Sequence, residues 1–419
     1  MDDVPALCRR ARAASRALGP RSRESKDAAL RAVADGLRRR AGQVLAANEV
    51  DLAAARAAGP SAAQLDRLAL DARRVEQMAS AAEQVAALED PVGAVLSEWT
   101  RPDGLRVRRV RVPVGVIAII YEARPNVTVE ASVLCLKAGN AVVLRGGSEA
   151  AQSNAAIVSV VRDALQAASL PPDGVLAMPA GDRDAVRELI QQSDTVDLVI
   201  PRGGEGLIRF VQDHARVPVI AHARGVCHLF IDAGADVAMA TRLAIDGKLQ
   251  RPGVCNALEC LLVDAADATR LLPPIARALE AGVGAGGCEL RGDERTRELF
   301  PSARPATEED WGREYLDRIL AVRVVDGLDG ALAHVARYGS RHTEAICTKN
   351  DAHAERWRRE IDAACVVVNA STRCHDGGEL GLGAEIGIAT SKLHWRGAMG
   401  LDALTTFQWR LDGDGQTRR

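Results

Sequence analysis

The chain has 419 residues, 47% of them apolar, and it carries 54 Lys plus Arg against 56 Asp plus Glu. Charges that nearly cancel provide no strong field for nucleic acid or an anionic membrane, so we expect neither partner and predict a small-molecule ligand. The length indicates two or three domains, and with no apolar leader or membrane-length apolar run we expect a soluble, cytoplasmic protein.

The first 90 residues predict helices. Apolar side chains recur at near-helical spacing over residues 25–58, which indicates one amphipathic helix ending near Gly59-Pro60. Ser61 and Gln64 form a capping-box pattern for a second helix, which stops before Pro91. We interpret this region as scaffold rather than as part of a site.

A small β element is predicted from two separate stretches. Residues 95–99 and 105–112 flank a Pro-Asp-Gly turn, which is typical of a β-hairpin, and the alternation slips at Arg108-Arg109 as it would at a bulge. Residues 404–409 indicate an edge strand near the C-terminus. Because such strands often pair with another subunit, we expect a homo-oligomer.

From residue 114 onward, short apolar runs alternate with segments of helix length. The first series predicts buried strands at residues 114–121, 141–145, 175–180, 196–200 and 217–220, with a helix around 127–138. A second series predicts a strand at 226–231, a helix near 235–249, a strand at 258–263, a helix near 265–281, and further elements at 319–325, 330–338 and 365–368. This alternation is typical of two parallel, doubly wound sheets, which bind ligands at the carboxyl ends of their strands.

Two of these strand ends carry glycine-rich turns. Residues 145–148 read Arg-Gly-Gly-Ser, and residues 202–206 read Arg-Gly-Gly-Glu-Gly and open a helix. Free N–H groups and the positive end of a helix dipole favour phosphate oxygens. Such turns are also common for geometric reasons alone, and neither matches a full dinucleotide or P-loop motif.

The stretch of residues 250–256, Gln-Arg-Pro-Gly-Val-Cys-Asn, combines a thiol with a constrained turn. Pro252 fixes its own φ, and Gly253 permits a tight backbone, so Cys255 can be aimed into a cleft. Two interpretations stand. Cys255 is a nucleophile if its surroundings lower its pKa, or it is a small buried apolar residue, as we expect for most of the nine cysteines. No CxxC pair occurs, so we predict neither a disulfide framework nor a metal site.

Several motifs point to one family. Residues 121–128 read Tyr-Glu-Ala-Arg-Pro-Asn-Val-Thr, residues 369–373 read Asn-Ala-Ser-Thr-Arg, and residues 381–385 read Gly-Leu-Gly-Ala-Glu. Together with residues 250–256 and a spaced pattern over residues 325–346, they resemble the glutamate-5-semialdehyde dehydrogenases, or γ-glutamyl phosphate reductases, of the aldehyde dehydrogenase superfamily. One segment departs from the family's usual turn, namely residues 221–224, Ala-His-Ala-Arg.

The resemblance implies an α/β, aldehyde dehydrogenase-like fold with two doubly wound α/β domains and a small β oligomerisation element. Residues 1–225 would form the dinucleotide-binding domain, with the hairpin of residues 94–112 contributing to oligomerisation. Residues 226–368 would form the catalytic domain that carries Cys255. Residues 369–419 would supply a substrate loop and an oligomerisation tail.

The resemblance also implies site residues. Cys255 would be the nucleophile, and Asn126 would donate to the oxyanion, a contribution typically worth about 3 kcal/mol of barrier. Arg145 would suit the 2′-phosphate of NADP(H), since arginine binds phosphate bidentately. Glu314 would hold the nicotinamide ribose, unless it is an ordinary surface glutamate. The remaining implied residues are the cofactor-binding Gly146, Gly147, Gly203 and Gly204, and the substrate-binding Arg124, Arg251, Ser371, Thr372 and Arg373.

The implied reaction is the NADPH-dependent reduction of L-glutamyl 5-phosphate to L-glutamate 5-semialdehyde through a Cys255 thioester, in proline biosynthesis. Hydrolytic aldehyde dehydrogenases activate water with a glutamate a little over thirty residues before the nucleophile, and residues 215–231 contain no acid. This absence favours exchange with phosphate over hydrolysis. The alternatives are a non-phosphorylating NAD(P)-dependent aldehyde dehydrogenase, a cysteine hydrolase and a silent scaffold. The upstream glutamate kinase is a further expected partner.

Overall fold

The computed structural model describes residues 3–59, 62–122, 124–179, 183–221, 224–282 and 286–418. Its α-helices are α1 Val4–Leu18, α2 Arg23–Arg39, α3 Ala41–Ala58, α4 Ala62–Leu68, α5 Ala72–Ala87, α6 Pro125–Lys137, α7 Ala151–Ala167, α8 Arg183–Ile190, α9 Glu205–His214, α10 Val237–Leu249, α11 Ala268–Ala281, α12 Glu294–Leu299, α13 Gly327–Tyr338 and α14 Asp351–Glu360. No helix in these ranges has the length and apolar character needed to cross a membrane.

The strands group into separate sheets. They are β1 Val95–Thr100, β2 Arg106–Pro113, β3 Val116–Tyr121, β4 Ala141–Arg145, β5 Val175–Ala177, β6 Leu198–Arg202, β7 Cys227–Ile231, β8 Leu258–Asp264, β9 Glu289–Gly292, β10 Arg304–Pro305, β11 Ile319–Val325, β12 Thr343–Cys347, β13 Cys365–Val368, β14 Ile388–Ala389, β15 Gly397–Ala398 and β16 Thr405–Asp412. Among the described residues, β14 and β15 form a small pair of their own.

The first sheet has the order β5-β4-β3-β6 and is parallel throughout. Its central strand β3 is buried along its whole length, as expected for a strand with helices on both faces. Helices α6 and α7 pack against each other beside it, and α2 and α5 form a further layer. The carboxyl ends of β3, β4 and β6 therefore lead into the loops that carry Arg124, Gly146 and Gly203.

The second sheet is also parallel, with the order β10-β9-β11-β8-β7-β12-β13 within the described part of the chain. One apolar cluster containing Leu261 and Leu272 and another containing Phe230 and Trp357 form its core. Residues 250–257, the loop that carries the predicted nucleophile Cys255, connect α10 to β8 in the middle of this sheet.

The third sheet is antiparallel and has the order β1-β2-β16, so the C-terminal strand pairs with the hairpin of its own chain. The bulge predicted at Arg108-Arg109 is wrong. The register shifts between Val95 and Ser97, so the extra residue is Leu96 in the opposite strand. A slip in the alternation of one strand does not reveal which of two paired strands carries the extra residue.

The predicted α/β fold with two parallel sheets is confirmed, with differences in the elements. The helix predicted over residues 25–58 is broken at Arg40, which leaves the helical region (φ −105°, ψ 17°). The helical region before Pro91 also divides, because Asp71 accepts the N–H of Arg74 and starts α5. Residues 217–220 form only a single bridge, between Val199 and Val219. The predicted cap Ser61 and strand end Ala180 lie outside the described residues.

Candidate active site

The nucleophile loop, residues 250–257, packs against the predicted substrate loop. The side-chain amide of Asn256 donates to the carbonyls of Arg373 (3.4 Å) and His375 (2.9 Å). In return, Arg373 donates through Nε to Oε1 of Gln250 (2.9 Å). The structure therefore brings Arg373 and His375 to the residues that flank Cys255, even though more than a hundred residues separate the two loops.

The backbone of Cys255 rests on the segment that enters β7. A Cβ atom built on Gly225 would lie 2.0 Å from the carbonyl oxygen of Cys255, so only glycine fits at this contact. The Cys227 thiol donates to the same carbonyl at 3.3 Å. The N–H of Gly225 donates to Oε1 of Glu314 at 3.0 Å. Glu314 is half-buried and holds this segment, so it is not an ordinary surface glutamate.

Cys255 is half-buried, and burial raises the pKa of its thiol to about 11. The positive charge of Arg202 opposes this shift, whereas the carboxylates of Glu314 and Glu385 add to it. Both carboxyl groups are half-buried, which raises their own pKa values. Two acids that are distant from Cys255 in sequence therefore act on its thiol. The absence of acids from residues 215–231 does not mean that the surroundings of Cys255 lack them.

Arg202 lies close enough for its charge to act on the Cys255 thiol, and it is not among the site residues predicted from the sequence. It ends β6, and its guanidinium packs on Gly387, where a Cβ would lie 1.7 Å from Nη1. Burial raises the pKa values of Glu130 and Glu385, and the positive charge of Arg202 opposes that rise. Its position in the sequence could have indicated a role, because Arg202 opens the glycine-rich turn at the carboxyl end of a strand. Only the glycines of that turn were predicted to bind the cofactor.

Two of the predicted substrate arginines carry charges that interact. Partial desolvation lowers the pKa of Arg124, and the positive charges of Arg67, Arg202 and Arg251 lower it further. Such mutual repulsion is relieved when an anion binds among the guanidinium groups. Arg67 was not predicted, because it belongs to the helical region that we interpreted as scaffold.

Asn126 lies in the first turn of α6, where its side-chain amide donates to Oε1 of Glu130 at 2.8 Å. In the described part of the chain, no hydrogen bond joins Asn126 to Cys255. Burial raises the pKa of Glu130. The role of Asn126 as oxyanion donor therefore stays a prediction, and it requires the amide to leave Glu130 or to share its second N–H.

The predicted cofactor residues occupy two strand ends. Arg145 ends β4 and donates through Nη1 to the carbonyl of Gly146 (3.1 Å). Next to it, a cavity of about 260 Å³ is lined by Gly146, Gly147 and Asn154, among others. This cavity at the carboxyl end of a parallel strand fits part of a dinucleotide.

At the other strand end, a carboxylate already occupies the position expected for a phosphate. The N–H of Gly204 donates to Oε2 of Glu122 at 3.2 Å. A Cβ on Gly203 would lie 2.7 Å from the carboxyl carbon of Glu122. The absence of side chains at Gly203 and Gly204 thus leaves room at their backbone, as predicted. That room is taken by the side chain of Glu122, which was not among the predicted site residues.

The other predicted substrate residues form a short buried turn. Ser371 accepts the N–H of Arg373 at 3.2 Å, and Thr372 is 2% exposed with no hydrogen-bond partner for its hydroxyl among the described residues. Ser371 therefore shapes the loop, whereas the hydroxyl of Thr372 is available to another group. His222 and Ala223 of the unusual segment lie outside the described residues.

A buried group of His228, Cys260 and His334 places three ligand-type atoms within 4.8 Å of one another. The guanidinium of Arg323 donates to Nδ1 of His334 at 3.1 Å, so the proton of neutral His334 is on Nε2, the atom that faces Cys260 (3.5 Å). A protonated nitrogen cannot bind a metal, and this group serves better as a hydrogen-bonded core.

Comparisons with known proteins identify the family of the chain. Residues 1–286 match the aldehyde dehydrogenase family model. The chain is 59% identical to a γ-glutamyl phosphate reductase of Sorangium cellulosum, covering 99% of this chain and 97% of the relative. It is 53% identical to a Xanthomonas oryzae protein of the same name, covering 99% of both chains.

Solved structures lead to the same family. The γ-glutamyl phosphate reductase of Thermotoga maritima is 46% identical, with a TM-score of 0.97 over 100% of both chains. An acetylating aldehyde dehydrogenase of Geobacillus thermoglucosidasius, at 17% identity and a TM-score of 0.67 over 99% of this chain and 97% of its own, shares the fold alone. The chain belongs to the γ-glutamyl phosphate reductase family of the aldehyde dehydrogenase superfamily.

Proposed function

We propose that this enzyme reduces L-glutamyl 5-phosphate to L-glutamate 5-semialdehyde and phosphate, with NADPH as reductant, in proline biosynthesis. The full-length similarity to relatives named for this reaction carries the proposal. The cysteine on a constrained loop supports it, as do the arginines whose charges surround the entrance to α6. The relatives do not favour the non-phosphorylating alternative.

In the proposed mechanism, the Cys255 thiolate attacks the γ-carbonyl carbon, a C–S bond forms and the C–O bond to phosphate breaks. The departing phosphate and the substrate α-carboxylate are anions, which suit the arginines at positions 124, 202 and 251. NADPH, when bound, supplies the hydride that reduces the thioester. The C–S bond then breaks, which releases the aldehyde and restores the thiolate.

The first step needs a proton acceptor, because burial keeps the Cys255 thiol protonated at neutral pH. Glu314 and Glu385 are the acids whose charges reach the thiol, and raised pKa values make both better bases than exposed glutamates. The negative charge of the arriving substrate phosphate would raise the proton affinity of the Glu314 and Glu385 carboxylates. We therefore expect proton transfer to accompany substrate binding.

NADP(H) is the proposed cofactor because Arg145 ends the strand beside the cavity at Gly146 and Gly147. Its guanidinium suits a 2′-phosphate, and NAD lacks this group. Glu314 would hold the nicotinamide ribose next to Cys255. Glu122 would have to leave Gly204 before a cofactor phosphate could contact that backbone.

The assay that tests the reaction follows NADP reduction with glutamate 5-semialdehyde, with and without phosphate. We expect a rate that depends on phosphate, because transfer of the acyl group needs an acceptor. We also expect NADP to be preferred to NAD. Equal rates with and without phosphate would support the non-phosphorylating alternative, and no rate in either case would contradict the proposed reaction.

A homo-oligomer is the proposed state in solution. The sheet β1-β2-β16 exposes a set of large apolar side chains that an isolated chain would leave in water. They are Val95, Leu96, Trp99, Phe407, Trp409 and Leu411. The strand register places Trp99, Phe407, Trp409 and Leu411 on one face of this sheet. A second copy that covers this face should give a dimer or larger mass by sedimentation, whereas a monomer at micromolar concentration would argue against it. Glutamate kinase and the cytoplasm stay the predicted partner and location.

A further inference from the structure

A fully buried ion pair joins the two sides of the nucleophile loop. Lys248 is in the last turn of α10, Glu259 is in β8, and Cys255 lies between them in the sequence. Their Nζ and Oε2 atoms are 2.6 Å apart, and neither side chain has any exposed surface. The pair therefore fixes the ends of the loop relative to each other.

The second carboxylate oxygen of Glu259 reaches a separate segment. Its Oε1 accepts the N–H of Leu316 at 3.2 Å. Leu316 has φ +55°, a left-handed conformation that a leucine rarely adopts, and its side chain is 44% exposed. The hydrogen bond that the Leu316 N–H donates to Glu259 is therefore one constraint on this strained turn, alongside the hydroxyl of Tyr315, which donates to Asp310 at 2.6 Å.

The strained turn also carries Glu314 and passes near Gly253 of the nucleophile loop. The carbonyl oxygen of Leu316 lies 3.8 Å from the position that a Cβ on Gly253 would take. Glu314, two residues earlier, accepts the N–H of Gly225, which in turn lies against the Cys255 carbonyl. Leu316 is thus connected through Glu314 and Gly225 to the backbone beneath the thiol.

Stability alone gives no reason for this ion pair. Taking two charges out of water is expensive, and well-packed apolar residues of similar volume often stabilise a protein as well or better. A buried ion pair that also orients a functional segment has a reason to be there. The two carboxylate oxygens of Glu259 accept from Lys248 and from the Leu316 backbone at the same time.

We propose that Lys248 and Glu259 are positioning residues that hold the turn of residues 314–316 in its strained conformation and so set the location of Glu314 relative to Cys255. The consequence for the thiol follows from the geometry of this chain. The consequence for cofactor binding rests on the function proposed above, in which Glu314 holds the nicotinamide ribose.

Two matched double variants test this proposal. Both remove the two buried charges, but Lys248→Met with Glu259→Gln keeps a carbonyl that can accept from Leu316, whereas Lys248→Met with Glu259→Leu does not. Thermal melting and circular dichroism establish that each variant is folded. Should the leucine variant fail to fold, methionine at position 259 removes the acceptor with a more adaptable side chain.

The first measurement is the rate of Cys255 alkylation by iodoacetamide at several pH values, followed by peptide mass spectrometry and without substrate or cofactor. In the wild type, the raised thiol pKa predicts slow alkylation that speeds up as pH rises. Displacing Glu314 removes a charge that raises this pKa, so the leucine variant should react about threefold faster or more at pH 8. The glutamine variant should stay within about twofold of the wild type.

The second measurement is the KM for NADPH, which should rise about tenfold or more in the leucine variant with a smaller change in kcat. Equal alkylation rates and KM values in wild type and both variants would overturn the proposal. Equal changes in both variants would overturn it too, because the acceptor for Leu316 would then be irrelevant. An inactive wild type would refute the proposed function, while alkylation still tested the positioning.

Discussion

Replacing Cys255 with serine should lower kcat by a factor of about 10³ or more while the protein stays folded. The hydroxyl of serine is a far weaker acid than a thiol, so the neighbouring carboxylates cannot ionise it to a useful extent. An ester formed on serine would also be a poorer hydride acceptor than a thioester. The loss should therefore appear in kcat and in kcat/KM alike.

The control for this variant is Cys365→Ser, which changes a half-buried cysteine of β13. Its activity should match that of the wild type, because Cys365 belongs to no part of the proposed mechanism. NADPH oxidation and thermal melting would be measured for both variants. Appreciable turnover by Cys255→Ser would mean that another residue is the nucleophile.

The sequence predicted most of the sheet strands because they are continuous apolar runs. The bounds of β4 were predicted to the residue, and the elements predicted at 319–325 and 365–368 without a type coincide with β11 and β13. By contrast, β12 was missed, since it begins with Thr343 and Glu344. These polar residues are buried beside partners that are distant in sequence, since Glu344 bonds to His228 (2.8 Å) and Thr343 bonds to His375 (2.8 Å).

The residues of the candidate site also divide into those that local motifs revealed and those that depend on partners distant in sequence. Residues 250–256 and 369–373 were recognised because each is a compact motif, and the structure packs these segments together. Arg202, Glu122 and Glu385 were not assigned roles, because their importance depends on what lies opposite them across strand ends. A search for charged residues at the carboxyl ends of parallel strands would have found Arg202.

Gly225→Ala is expected to reduce kcat/KM about 100-fold, because it disturbs the backbone on which Cys255 rests. The new methyl group would start 2.0 Å from the Cys255 carbonyl oxygen and 2.8 Å from its Cα. These are backbone atoms, so no side-chain rotation relieves the contact, and overpacking of this kind typically costs about 1–3 kcal/mol of stability.

Gly42→Ala is the matched control, since a Cβ at this position in α3 meets no atom within 4 Å. It should leave the kinetics unchanged and alter the melting temperature little. In Gly225→Ala, moving Gly225 also weakens its N–H bond to Glu314, so the alkylation rate of Cys255 should change together with kcat/KM. Wild-type kinetics and alkylation in Gly225→Ala would mean that the nucleophile loop yields easily, and that its position is not set by the segment entering β7.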